Sequence, residues 1–110
     1  MSFYTINPAT EEKIKQYHYM SQRNIENIAQ EVDDAFQIWK KIELQERAQS
    51  LLKLAEALRK NAKEYARLMT EEMGKPIQDS LAEIEKCAWT AEVYAQKGPA
   101  WQYSQYFFET

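Results

Sequence analysis

Apolar residues recur at steps of three and four from Leu44 to Met73: Leu44, Ala48, Leu51, Leu52, Ala55, Leu58, Ala62, Tyr65, Ala66, Met69 and Met73. That spacing lays them on one stripe of an α-helix. The opposite positions carry Glu46, Gln49, Lys53, Glu56, Arg59, Lys60, Lys63, Glu64 and Arg67, a solvated face on which Glu56 precedes Lys60 in the favourable ion-pair order. Gly74 supplies a left-handed C-terminal turn and Pro76 cannot continue the ladder, so one long helix is predicted to end here, with the rest of the chain packed on it.

Upstream, Phe3–Ile6 and Ile14–Tyr19 are rich in β-branched and aromatic side chains and flank the turn-forming segment NPATEEK, which predicts a β-hairpin over residues 1–20. Alternation is incomplete in both arms, so the pattern leaves the register open. Ser21 is a helix N-cap signal, followed by Ile25, Ile28, Ala29, Val32, Ala35, Phe36 and Trp39 at helical spacing. This predicts a helix from Gln22 to Lys41, set antiparallel to the long helix by the short link at Ile42 and Glu43. After Pro76, the positions Ile77, Leu81, Ile84, Ala88, Ala91 and Ala95 form a third stripe, edged by Ser80, Cys87 and Tyr94 and predicted to stop at Gly98 and Pro99. The expected fold is therefore mainly α, a single module with a hairpin at 1–20, three amphipathic helices over 21–97 and an aromatic tail at 98–110 that shows no period.

Composition narrows the chemistry. A chain of 110 residues with 45% hydrophobic content makes one domain, able to bury roughly 60 to 70% of its unfolded surface. The net charge of -3 is dispersed over mixed-sign faces, which argues against nucleic-acid and anionic-membrane partners. No apolar run is long enough to span a bilayer. The start of the chain lacks the pattern of a signal peptide and the single cysteine precludes an internal disulfide; the expected setting is reducing and cytoplasmic. The two glycines, Gly74 and Gly98, cannot build a Gly-rich phosphate loop.

Few residues suggest a reaction. Cys87 has no catalytic partner in reach of its pattern, since the only histidine, His18, lies in the hairpin; a buried structural thiol is expected. His18 is expected to be a strand side chain, because one histidine without other ligands at metal spacing makes no transition-metal site. Glu71, Glu72, Glu83 and Glu85 are expected to be surface acids, and Phe36, Trp39, Tyr65 and Tyr94 to be core.

The order of several segments adds a more specific expectation. INPAT before the second hairpin arm, AFQIWKK, ERAQSLLKLAEALRKNAKEYARLMTEEMGKPI and AEIEKCAWTAEVYA together resemble the N-terminal segment of the aldehyde dehydrogenase superfamily, in particular its succinate-semialdehyde dehydrogenase branch. The resemblance covers about Thr5 to Ala100. It implies a fragment of an α/β enzyme, several times longer than this chain, with dinucleotide-binding and catalytic domains and an oligomerisation arm. The implied parent reaction is NAD- or NADP-dependent oxidation of an aldehyde, such as succinate semialdehyde, to the acid through a thiohemiacetal on a cysteine. The family's catalytic cysteine, glutamate base, oxyanion asparagine and nucleotide loops lie downstream and have no counterpart here. No cofactor, small-molecule substrate or activity is therefore expected of this chain alone. Cys87 falls in the family's third N-terminal helix and does not match the nucleophile.

The ending WQYSQYFFET departs from the family pattern and resembles a truncated or frame-shifted product. Glu43 stands where the family often has serine, a weaker cap by about 1 kcal/mol. In several members a monovalent cation is held by backbone carbonyls before the NP turn and by an acid on the third helix; the matching positions are Thr5, Ile6 and Glu83. The alternative function is a small helical interaction module that self-associates or binds a dehydrogenase subunit. Self-association is expected, because Leu54, Ala57, Leu68, Ile38 and Trp89 lie off the main stripes and the tail adds Trp101, Tyr103, Tyr106, Phe107 and Phe108.

Overall fold

The computed structural model describes the backbone of residues 1–108 and the side chains of residues 1–102. It is mostly helical with an N-terminal hairpin, in the order β1 (Ser2–Ile6), β2 (Lys13–His18), α1 (Gln22–Trp39), α2 (Leu44–Lys60), α3 (Ala62–Met73) and α4 (Ile77–Phe108). The mainly α expectation holds, but with four helices where three were expected.

The two strands are antiparallel, pairing Ser2 with His18, Phe3 with Tyr17, Tyr4 with Gln16, Thr5 with Lys15 and Ile6 with Lys13. Ile14 is thus the extra residue of a bulge opposite Thr5 and Ile6. Asn7 shapes the turn: its side-chain oxygen accepts from the Ala9 N–H at 2.9 Å, while its own N–H donates to the Glu12 carbonyl at 2.9 Å. Glu11 takes the left-handed conformation, φ 63°, that the turn requires. Phe3 stacks on Tyr17 at 5.4 Å between ring centroids and meets Tyr19 at 5.3 Å, which pins the register that alternation had left open.

Ser21 caps α1 as expected, its hydroxyl accepting from the Asn24 N–H at 3.2 Å. The expected antiparallel packing on α2 does not occur. α1 ends at Trp39, two residues short of Lys41, and buries none of its residues. The reason is competition: the stripe of α2 is already taken by α4, whose Ala88 and Ala91 close on Ala55 with Leu51 and Leu58 alongside. Phe36, Trp39, Tyr65 and Tyr94, expected in the core, are all exposed.

The long helix is broken at Asn61, which has non-helical φ -105° and ψ 16°. Its side-chain amide donates to the Ala57 carbonyl at 2.8 Å, a local bond of the kind by which asparagine competes with the helix ladder. The stripe resumes in phase, so that Ala66 of α3 is buried like Ala48 and Ala55 of α2. Gly74 closes α3 in the left-handed conformation, φ 71°, with its N–H on the Thr70 carbonyl at 2.9 Å. The stop predicted there is observed.

The stop predicted at Gly98 and Pro99 is not. α4 continues through both to Phe108, so the segment without a period is helical backbone as far as that residue; the side chains of Tyr103, Tyr106, Phe107 and Phe108 lie outside the described residues. Pro99 removes the bond its N–H would make to the Ala95 carbonyl, yet it is buried, in the hollow lined by Leu44 and Ala48. Tyr94 and Trp101 meet edge to face at 5.8 Å across the proline and tie the two halves of the helix together.

The core is a seam of small residues. Ala48, Ala55, Ala66, Ile84, Ala88, Ala91 and Ala95 are its buried hydrophobic residues, and Ser80, fully buried, shares a 3.1 Å hydrogen bond with the Thr70 hydroxyl between α4 and α3. Small side chains let helix backbones approach closely, so added volume must displace a whole helix. Ala88→Leu is expected to lower stability by about 1–3 kcal/mol, whereas Ala57→Leu, on the exposed side of α2, stays within about 0.5 kcal/mol; urea unfolding of both variants measures the contrast.

Candidate functional site

The residues predicted to hold a cation lie on two elements that meet at the end of α3. Pro8, two residues after the strand bearing Thr5 and Ile6, sits against Gly74, where an added Cβ would lie 3.1 Å from the proline Cγ. The next residue, Lys75, pairs through its ammonium group with the carboxylate of Glu83 in the second turn of α4. Glu83 therefore has a cationic partner already, which sequence spacing did not reveal. The Thr5 hydroxyl is buried without a hydrogen-bond partner. Among the described residues, His, Cys, Asp and Glu form no group of three or more that could hold a metal ion.

Cys87 is exposed, not buried as expected. It lies on α4 beside the alanine seam, in an open groove shared with Ala91 and with Leu51 and Leu54 of α2. Periodicity placed it at the edge of its stripe, and that edge proves to be outside the packed face. His18 faces Ser2 across the hairpin and is exposed.

Of the four acids singled out, Glu83 pairs with Lys75 and two others also form ion pairs. Glu71 lies 3.5 Å from Arg67 one turn earlier on α3. Glu85 joins Glu92 around Arg59: the guanidinium reaches Glu85 at 2.9 and 3.1 Å and Glu92 at 3.1 Å, clamping α2 to α4 on the solvent side. These hydrogen bonds hold both carboxyls below their ordinary value and push the guanidinium above its own. Sequence reasoning assigned Arg59 to a plain solvated face. The signal that could have found the clamp is the seven-residue step from Glu85 to Glu92, two turns of one helix face.

No described helix is long and apolar enough to cross a membrane. With the geometry established, relatives place it. Residues 1–107 match the Aldehyde dehydrogenase family. The succinate semialdehyde dehydrogenase [NAD(P)+] of Escherichia coli is 38% identical over 96 residues, covering 87% of this chain and 21% of the relative. A probable succinate-semialdehyde dehydrogenase [NADP(+)] of Synechocystis is 36% identical over 97 residues, covering 88% of this chain and 21% of its own. The crystal structure of succinic semialdehyde dehydrogenase from Streptococcus pyogenes in complex with NADP+ superposes with a TM-score of 0.80 at 30% identity, over 86% of this chain and 21% of that one. The chain thus spans about one fifth of the length of the relatives it matches.

The Arg59 clamp sets a pH dependence. Carboxyls whose folded pKa is depressed contribute stability that is present above the ordinary value of 4.5 and is lost as pH falls through the lower folded values. Arg59→Gln is expected to reduce the urea midpoint near neutral pH, with the difference from the unsubstituted chain shrinking as the pH is taken well below 4.5. Because the groups are exposed, salt should narrow the same difference; denaturation series at two pH values and two salt concentrations check both trends.

Proposed function

Since the chain belongs to the aldehyde dehydrogenase family, we propose that it is a helical segment of an enzyme that oxidises succinate semialdehyde to the acid with NAD or NADP, and that it is inactive by itself. A cytoplasmic setting is part of this reading. The relatives' activities support the substrate and the cofactor of the whole enzyme. The observation that carries the inactivity is the placement of the groups such a reaction needs. Transfer of hydride from a thiohemiacetal requires an activated thiolate, a base and a cradle for the cofactor's phosphates. The only thiol, Cys87, sits on an exposed helix flank. The glycines serve elsewhere, Gly74 as a helix terminus and Gly98 inside α4; neither belongs to a strand-to-helix loop that could cradle a phosphate.

A second reading, a helical interaction module, is favoured by the apolar stripe of α1, which lies wholly exposed. In either case a monovalent cation at the carbonyls of Thr5 and Ile6 and the carboxylate of Glu83 remains part of the proposal. The unpartnered Thr5 hydroxyl supports it. The Lys75 ammonium opposes it, since a cation must take the place that Lys75 now holds beside Glu83.

Titration of the purified chain with NAD and NADP by calorimetry is expected to give no saturable heat at micromolar cofactor, and succinate semialdehyde no turnover above buffer. Saturable binding or turnover would overturn the inactive segment. For the cation, potassium is expected to raise the melting temperature slightly relative to a bulky organic cation at equal ionic strength, and Glu83→Gln to abolish the rise. If potassium has no effect on the unsubstituted chain, the cation assignment fails.

A further inference from the structure

Helix α1 is amphipathic in charge as well as in hydropathy. Ile25, Ile28, Val32, Phe36 and Trp39 form its apolar face and are between 42 and 63% exposed. On the helical wheel Glu26 and Asp33 border one edge of that face, Glu31 borders the other, and the only basic residue, Arg23, lies on the far side. The face is thus an apolar strip framed by acids along the helix, with Lys40 over the Phe36 ring at its C-terminal end.

The groove beside the alanine seam has the opposite character. Two adjoining hollows between α2 and α4 share Leu51, Leu54 and Tyr94 as a common apolar wall. The groove's charged lining is Lys75, Glu83, Lys86 and Arg47; Lys75 pairs with Glu83, whereas Lys86 and Arg47 form no ion pair among the described residues and the Arg47 Nε is buried without an acceptor. An arginine with no ion pair among the described residues leaves its guanidinium to pair with a carboxylate from another chain. The lengths also agree. α1 has 18 residues and α2 has 17, about 27 and 25 Å at the rise of a helix.

The chain does not bring these two surfaces together within itself. Trp39, the last residue of α1, lines one end of the groove, and the body of the helix does not pack along it. The radius of gyration is 18.9 Å, against about 13 Å for a compact domain of this length. We propose that α1 of one copy lies in the α2–α4 groove of a second copy, and the reverse. The result is a two-fold pair in which Glu26, Glu31 and Asp33 face Lys86 and Arg47. The pairing rests on the interaction-module reading and names its partner as a second copy of this chain.

Cys87, the only cysteine, opens onto the same groove and reports its occupancy. Light scattering coupled to size exclusion is expected to give twice the 13.0 kDa of one chain at micromolar concentration and to approach one chain on dilution. Labelling of Cys87 by a chromogenic disulfide reagent is expected to be about tenfold slower in the pair than in the dilute chain. Val32→Asp on α1 and Leu54→Asp in the groove should each yield the single-chain mass and restore fast labelling. Both residues are exposed in the single chain, so unchanged circular dichroism will show that neither variant fails by unfolding. A single-chain mass at every concentration overturns the interaction-module reading together with the pairing. A two-chain mass that survives both substitutions overturns the α1 contact alone and points to association through the aromatic tail. Slow labelling at all dilutions with a single-chain mass overturns it too, since each α1 then covers its own groove.

Discussion

The close approach of α4 to α2 and α3 is the contact on which the rest of the structure depends. It is made by residues with little side chain to bury: Ala48, Ala55 and Ala66 on one side, Ala88, Ala91 and Ala95 on the other. Each contributes little area of its own, so the seam relies on short backbone separation and on the larger Leu51 and Leu58 leaning across it. Two polar devices fix it at its margins. The Arg59 clamp ties α2 to α4 on the solvent side, and the Ser80–Thr70 hydroxyl pair ties α4 to α3 where no water reaches Ser80. An alanine seam also selects its partner by shape, and no second helix can share it. That explains why α1, next in line by its short connection, is left outside.

Much of this architecture is legible in the chain, and the limits of legibility have physical causes. Ser21, Gly74 and the NP turn act through local geometry, and each sits where its chemistry predicts. Spacing assigns residues to a common side of a helix but says nothing of which sides find a partner. Periodicity thus expects Phe36 and Trp39 in the core and Cys87 buried, on stripes that are real but uncovered at these residues. The break at Asn61 and the passage through Pro99 are errors of opposite sign. In the first, a side chain local to the helix outcompetes the ladder; in the second, burial of Pro99 and the Tyr94–Trp101 contact outweigh one missing hydrogen bond.

The candidate cation positions show the same division. The resemblance to aldehyde dehydrogenases brought Thr5, Ile6 and Glu83 into consideration, and the fold sets their elements at one end of α3. What spacing could not supply is Lys75. Eight residues before Glu83 and across a turn, it reaches the carboxylate only because Gly74 reverses the chain there. A charge partner across a turn depends on the turn's handedness, which no helical wheel encodes.

The hairpin carries one further consequence. A sheet of two strands has two edges, and among the described residues no third strand lies beyond either one. Each edge presents unpaired amides and carbonyls in the spacing that templates another strand. β2 is guarded in its first half by Lys13 and Lys15, whose charges a stacking neighbour would have to desolvate. β1 reads Ser-Phe-Tyr-Thr-Ile and carries no charge at all. The outer edge of β1 is therefore the weak flank of this chain, the place where misassembly into extended sheets would begin.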